Sequence, residues 1–551
     1  MKKIANMKKS YINIKTIVSL AFAGLLISSC QKKLDEAFAN PNAGVRVPVE
    51  SLLPGIISNM GGSSSAAGAA YGTQNDGLYI GRYVQFWATN TAGNAFDQMG
   101  GATGASDLMG SIWAMHYYGM GQNLKRMMEW AAVEKKWDYV GVGQAISAWS
   151  WLTTAEMYGD IIVREAFKAD QLVFNYDDQS LVYDTVRQIC RTAIVNLNNT
   201  GDSASPANLA KGDAYFYNGD VNKWKKFVYA VMARSFNHLS NKASYNADSV
   251  IFYANLAMNV NADNATMRFA NTGITGTSNF FGPYRSNVGA LRQTEYIANL
   301  MSGLNSRFPG AADPRAAYII RENTNGTFKG ARPNAGTSGL PVNDQPRNFW
   351  GNLFTSTAAP TSDAECRYIF KNGSPFPIIT ASEIKFMVAE AQYRKGNKVA
   401  ARAAYLDGIR LSFDMLMNDY GSSVPSSRVI TDAVRDAYLA NTTVVPAAND
   451  LTLSHIMLQK YIALYGYAMH ETWTDMRRFH YTDIEAGQTT PVYADLVVPT
   501  GINLFANNNG KLTYRARPRY NSEYLYNVKE LTRIGALALD YHTLEQWFSK
   551  P

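Results

Sequence analysis

The stretch TASEIKFMVAEAQYRKGNKVAARAAYLDGIRLSFDML, residues 380–416, constrains the fold more than any other part of the chain. Thr380 and Glu383 have capping-box spacing, in which hydroxyl and carboxylate each satisfy a backbone donor at a helix start. Ile384, Val388 and Ala391 recur at helical intervals, and Gly396 with Asn397 supplies the stop. A second helix then carries Val399, Ala403, Leu406, Ile409, Phe413 and Leu416 on one stripe. Two helices joined by a tight turn, with alanines where they would cross, read as a helical hairpin of tetratricopeptide type.

Similar hairpins are predicted over 111–158, and from 180–199 paired with 221–240. These repeats share no consensus and some partners are separated by long insertions, so the pattern is repeat-like, not a regular solenoid. A long helix is expected from 450 to 480, with Leu453, Met457, Tyr461, Leu464 and Ala468 inward and Glu471, Asp475 and Arg478 on one face, spaced to pair along it. Cys190 shares a helical stripe with Val182, Val186, Ala193 and Leu197, which predicts a buried free thiol. Strand signals are sparse. The class is all-α.

Between the helices lie segments with no period, near 61–110, 271–290 and 323–363. Loops of this length are uncommon in compact domains and are usually functional or disordered. Disorder depletes aromatics, yet these loops keep Tyr79, Trp87, Phe281, Tyr284 and Trp350. They are where a binding site is expected.

The N-terminus has a separate logic. Five lysines precede the apolar stretch Ile17–Ile27, which is too short to span a bilayer and closes on Ser28, Ser29 and Cys30. Small residues abutting a cysteine form a lipobox, so residues 1–29 are expected to be a lipoprotein leader and Cys30 the lipid-anchored first residue of a single domain, 30–551. Met7 could equally be the start. Loss of the five leader lysines lowers the formal charge from +8 to +3, and the body has no basic run, so no nucleic-acid partner is implied.

Catalytic signatures are weak. The six histidines are scattered, none in His-Glu-x-x-His spacing. There is no nucleophile elbow, P-loop or dinucleotide fingerprint, hence no expected cofactor. Residues 259–264, NVNADN, hint at a calcium loop, but Asn264 stands where the turn needs Gly and Ala270 where it needs Glu. Glu471 and Asp475 could be read as a glycosidase pair. Their neighbours Arg477 and Arg478 favour a salt network.

Motifs in order along the chain resemble the SusD/RagB family of nutrient-binding lipoproteins. They are LDEAFANPNAG (34–44), AEMYGDIIVREAF (155–167), YDDQSLVYDTV (176–186), GDVNKWKKFVYAVMARSFNHLS (219–240) and DPR (313–315). SEIKFMVAEAQYRKGN (382–397), QKYIALYGYAMHETWTDMRRF (459–479) and RPRYNSEYLYN (517–527) complete the set. Val163 departs from the family's usual Pro. The resemblance implies an α-helical fold of about four tetratricopeptide-like hairpins, an outer-membrane location facing outward, and a SusC-like TonB-dependent transporter as partner. It implies a binder, not an enzyme. Sugars offer C–H faces ringed by hydroxyls, which suit aromatics flanked by polar groups. The expected ligand contacts are therefore Tyr79, Trp87, Phe281, Tyr284 and Trp350, with Asn75, Asp76 and Arg285 as polar partners. A glycan is favoured over a peptide; a protein-docking scaffold and a glycoside hydrolase are the remaining readings.

Overall fold

Antiparallel helices make most of the architecture. α1 (Val49–Ile57), α2 (Asp76–Tyr83) and the short α3 (Ser111–Ala114) lead through a π-helical turn (Met115–Met120) into α4 (Gly121–Val133) and α5 (Trp137–Tyr158). Next come α6 (Gln179–Asn198), α7 (Pro206–Asp213), α8 (Val221–Asn237) and α9 (Ala247–Leu256). The second half holds α10 (Glu295–Met301), α11 (Ala316–Ile319), α12 (Ala381–Arg394), α13 (Lys398–Tyr420), α14 (Asp432–Ala440), α15 (Leu453–Ala463), α16 (Met469–Arg478) and α17 (Val528–Arg533). Strands are short. β1 (Trp87–Thr89) pairs antiparallel with β3 (Leu291–Gln293), and β2 (Ala265–Met267) with β4 (Phe376–Ile379).

This computed structural model describes residues 46–61, 71–73, 76–100, 107–168, 171–272, 277–279, 290–351 and 362–551. The chain divides into Met1–Pro48 and Val49–Pro551, and these helices and strands all belong to the second unit. The leader and Cys30 lie outside the described residues.

Local chemistry explains the helix starts. Asp220 accepts from the amides of Asn222 and Lys223 at the head of α8, and Ser205, followed by Pro206 at the first helical position, caps α7. Packing explains the rest. α5 lies between α4 and α6 and is buried on nearly every side, which is why its sequence is apolar all round. The predicted stripe on α6 is buried as expected, with the Cys190 thiol pushed up to about 12 by burial.

The 380–420 hairpin forms with its turn at Gly396, but two details differ from expectation. Thr380 does cap α12 by accepting from the Glu383 amide, whereas the Glu383 carboxylate turns away from the cap to pair with Arg234 on α8. On α13, the expected Ile409, Phe413 and Leu416 are buried, but Val399 is 78% exposed and Ala403 also faces solvent; the N-terminal half buries Ala401, Ala404 and Tyr405, and Gly408 and Ser412 widen the buried face. The crossing point is Gly408, where an added Cβ would lie 3.0 Å from the Phe386 ring. The expected helix 450–480 is two helices, α15 and α16. The chain breaks at Gly466, whose φ of +87° favours glycine and whose missing side chain admits Ile369 and Tyr368.

A buried ionic network fastens these helices. Arg234 of α8 donates to Glu383 at 2.7 and 2.8 Å, and lies 3.4 Å from Glu471 of α16. His238, just past α8, bridges Glu156 of α5 (2.5 Å) and Glu471 (3.0 Å). Lys460 of α15 sits 2.9 Å from Glu471 and 2.7 Å from Asp475, while Arg478 joins Asp475 (2.6 Å) to Glu390 of α12 (2.8 Å). Burial alone would lower the pKa of His238, but Glu156 and Glu471 outweigh it and raise it to about 9, so the imidazolium is charged at neutral pH. Burial likewise works against the Glu471 carboxylate, yet His238, Lys460 and Arg234 hold it well below the usual range. Donor atoms of His238, Glu471 and Asp475 converge within 4.8 Å, a spacing that could suit a metal ion. The Lys460 ammonium already supplies the positive charge between the two carboxylates.

Candidate functional site

Three loop regions that are remote in sequence close over one face. Asn94 donates its side-chain amide to the carbonyls of Ile502 and Leu504, both at 2.8 Å. Asn334 donates to the Asp97 carboxylate (2.7 Å) and to the Asn503 carbonyl (2.8 Å), and its own carbonyl accepts from Gly93. Thr337 binds the Asn90 carbonyl through its amide. The β1–β3 ladder, Trp87 opposite Gln293 and Thr89 opposite Leu291, fixes the floor. Residues 76–99, 331–337 and 502–508 thereby act as one surface.

An aromatic platform stands on it. Tyr79 of α2 stacks on Phe96 with ring centres 4.4 Å apart and planes inclined by 20°, both rings being half-buried. The Arg82 guanidinium carbon is 3.9 Å from the centre of the Phe96 ring, a cation–π contact, and its Nη2 donates to the Gly93 carbonyl at 3.2 Å. Burial lowers the Arg82 pKa to about 10. Burial also pushes the Asp97 carboxyl up to about 7, against the opposing pull of Asn334 and Arg82. Asn90 and Asn94 are partly open and Thr91 is exposed, so polar groups rim the rings.

The other sequence-predicted residues lie elsewhere. Trp87, 1% exposed, donates its indole N–H to the Leu78 carbonyl (2.8 Å) and stacks on Phe349 at 5.7 Å. Trp350 is wholly buried and meets the same Phe349 edge-on at 5.0 Å. Both tryptophans belong to the aromatic core beneath the face. Their place in long aperiodic loops predicts ligand contacts, but Phe349 packs on both rings, Tyr465 meets Trp87 edge-on and Phe370 backs Phe349, so the indoles are enclosed. Asp76 is buried too; it accepts from the Ile112 amide at 2.8 Å and ties α2 to α3, its carboxyl pushed up to about 6 by burial. Asn75, Phe281, Tyr284 and Arg285 fall outside the described residues. Phe96 and Asn94 were missed inside a segment flagged for function, and 502–508 was missed altogether. The turn-rich run PTGINLFANNNG, residues 499–510, was the signal available.

Beside the face, residues 327–329 wall a cavity of about 560 Å³. Its lining is mostly apolar, with Met301, Leu304, Phe328 and Val434, and Lys329 and Arg428 contribute charge. Arg428 pairs with Glu322 at 2.7 Å.

The helical architecture matches a known class. The sequence model of the family SusD-like_2, described as starch-binding and associating with the outer membrane, matches residues 57–502. The chain belongs to this family. Among solved structures, a SusD/RagB family protein from Bacteroides thetaiotaomicron VPI-5482 superimposes with a TM-score of 0.67 at 19% identity, covering 92% of this chain and 99% of its own. A chitin-binding protein gives 0.65 at 17% identity over 92% of this chain and 100% of its own. A chitin-binding SusD homolog from Flavobacterium johnsoniae gives 0.60 at 16% identity, over 87% of this chain and 94% of its own. At such identities the likeness speaks to the fold. No curated protein sequence matches the chain. Among the described residues no helix is long and apolar enough to cross a membrane.

Proposed function

We propose that the protein is a surface carbohydrate binder, tethered to the outer membrane through a lipid on Cys30, that hands an oligosaccharide to a SusC-like TonB-dependent transporter. The observation that carries the binding claim is the half-buried Tyr79–Phe96 stack on a polar-rimmed face. Flat apolar area framed by amides and hydroxyls complements a sugar ring, whose C–H face stacks while its hydroxyls seek donors and acceptors. The family's description as starch-binding and two chitin-binding neighbours favour a glycan over a peptide. Tethering the binder beside its channel raises the local ligand supply without new contacts.

The hydrolase reading loses its best residues. Glu471 and Asp475 are buried and share the Lys460 ammonium, at 2.9 and 2.7 Å. They are spent on holding helices together.

Affinity gel electrophoresis against amylopectin and soluble chitin oligosaccharide conjugates tests the proposal. Retardation by at least one, weakened by Tyr79→Ala and Phe96→Ala, is expected. Equal migration of both variants and the parent protein in every gel would refute the assignment of this face.

A further inference from the structure

A second cavity lies apart from the Tyr79–Phe96 face. It is a groove of about 720 Å³ walled by the end of α1, the π-helical turn, α7 and the residues after β2. Its volume is within the range of small-ligand sites. Two of its lining side chains are tyrosines that the fold leaves open to water, Tyr118 at 75% exposure and Tyr215 at 56%. They come from different elements. Tyr118 rides on the π-helical turn, an irregularity that occurs often at functional sites. Tyr215 follows α7 and is pinned by its carbonyl, which accepts from the Arg268 amide at 2.8 Å. Two independent aromatic side chains lining one concavity are a stronger signal than isolated exposed rings, which are ordinary.

The polar lining has a sign. Lys211 and Arg268 are both exposed, and neither makes an ion pair among the described residues; Lys211 donates to the Asn208 side chain at 3.0 Å. The one carboxyl in the lining, Asp213, turns into the core, where it accepts from the Trp224 indole (2.8 Å) and the Gly219 amide (2.6 Å). Asp419 acts on Arg268 through space and Glu50, near Lys211, is already paired with Lys136 at 2.7 Å. The groove therefore presents two exposed cations without a contact ion pair among the described residues, Arg268 partly offset through space by Asp419, beside two open aromatic rings. Asn123 adds an amide.

We propose that this groove is a separate saccharide site selective for an acidic oligosaccharide, with Tyr118 and Tyr215 stacking on sugar rings and Lys211 and Arg268 receiving a uronate carboxylate. It does not depend on the Tyr79–Phe96 face. Stacking supplies sequence-tolerant affinity, and the cations supply the preference for charge, which salt would screen.

The probe is polygalacturonate, with amylopectin as neutral comparator, in affinity gel electrophoresis of the intact domain at low and high salt. Retardation by polygalacturonate at low salt, reduced at high salt, is expected for the parent protein. The Tyr118→Ala/Tyr215→Ala variant should bind about tenfold more weakly. Lys211→Gln/Arg268→Gln should lose the preference for polygalacturonate over amylopectin, and Tyr79→Ala/Phe96→Ala should keep it. Thermal melts matching the parent show that the variants fold. Absence of retardation for the folded parent protein overturns the proposal, as does unchanged retardation of the tyrosine variant. Loss of polygalacturonate binding only in Tyr79→Ala/Phe96→Ala would assign the acidic glycan to the first face and equally overturn it.

Discussion

Arg234 and Glu383, 149 positions apart in the chain, form a two-pronged ion pair, 2.7 and 2.8 Å, with both side chains buried. A buried charge stripped of its principal partner is far costlier than the pair is beneficial, even with Glu471 at 3.4 Å. Glu383→Ala should therefore destabilise the domain by about 3–5 kcal/mol, and Arg234→Met/Glu383→Leu should recover part of the loss. Equilibrium urea unfolding checks this. A loss under about 1 kcal/mol would mean the pair does not organise the core.

The His238 imidazolium gives the fold a pH signature. Its folded pKa, about 9, is above the ordinary histidine value of 6.5. The stabilisation is thus complete below pH ~6.5 and is lost as pH rises through about 9; the full span corresponds to roughly 3 kcal/mol at about 1.4 kcal/mol per unit. Melting temperature should fall between pH 7 and 10, and His238→Gln should flatten that slope. A parallel slope in the variant would place the titration elsewhere.

Gly466 separates α15 from α16 in a left-handed conformation. Gly466→Ala should cost about 1–2 kcal/mol, since the added methyl meets both the backbone penalty and the Ile369 and Tyr368 side chains at 3.2 and 3.3 Å. A calorimetric melt within error of the parent protein would contradict the strained turn.

Each ring of the Tyr79–Phe96 platform should contribute about 1 kcal/mol to glycan binding, so either alanine variant should weaken affinity roughly fivefold. Titration calorimetry with the polysaccharide found by the gel survey reads this directly. Trp87→Ala behaves differently: with the indole fully packed, the expected loss is about 3–5 kcal/mol of stability.

Anchoring is tested by Cys30→Ser. Without its thiol the chain cannot carry the thioether-linked lipid, and the protein should move from the membrane fraction to the soluble fraction of fractionated cells. Retention in the membrane would argue for another means of attachment.

The helix start after Thr380, the stop at Gly396 and the second helix as far as Leu416 were legible because their signals are local: a threonine cap, a glycine stop and short-range periodicity. On α13 the buried Ile409, Phe413 and Leu416 were legible, whereas Gly408 and Ser412 were not, because they are buried by what Phe386 and Ser382 need, not by their own hydropathy. The kinship of Glu471, Asp475 and Arg478 on one face was visible. Their partners Lys460, His238 and Glu390 were not, since nothing local to α16 records which helices pack against it. Tyr79 was picked for its loop context, but the aperiodic run 61–110 hides a helix, so Tyr79 sits on α2 and not in a loop, its ring stacked on Phe96. Trp87 and Trp350 were picked on the same grounds and proved to be core, because their burial is decided by Phe349, which a local reading does not weigh.

The bonds from Asn94 to Ile502 and Leu504 join points 408 and 410 residues apart. Contacts of such separation are entropically slow to make and come after nearby helices have settled. A polypeptide emerging N-terminus first would carry formed hairpins before its Tyr79–Phe96 face could close. The face would then be completed late, and a fragment ending before residue 502 would leave Asn94 without the two carbonyls that fasten it.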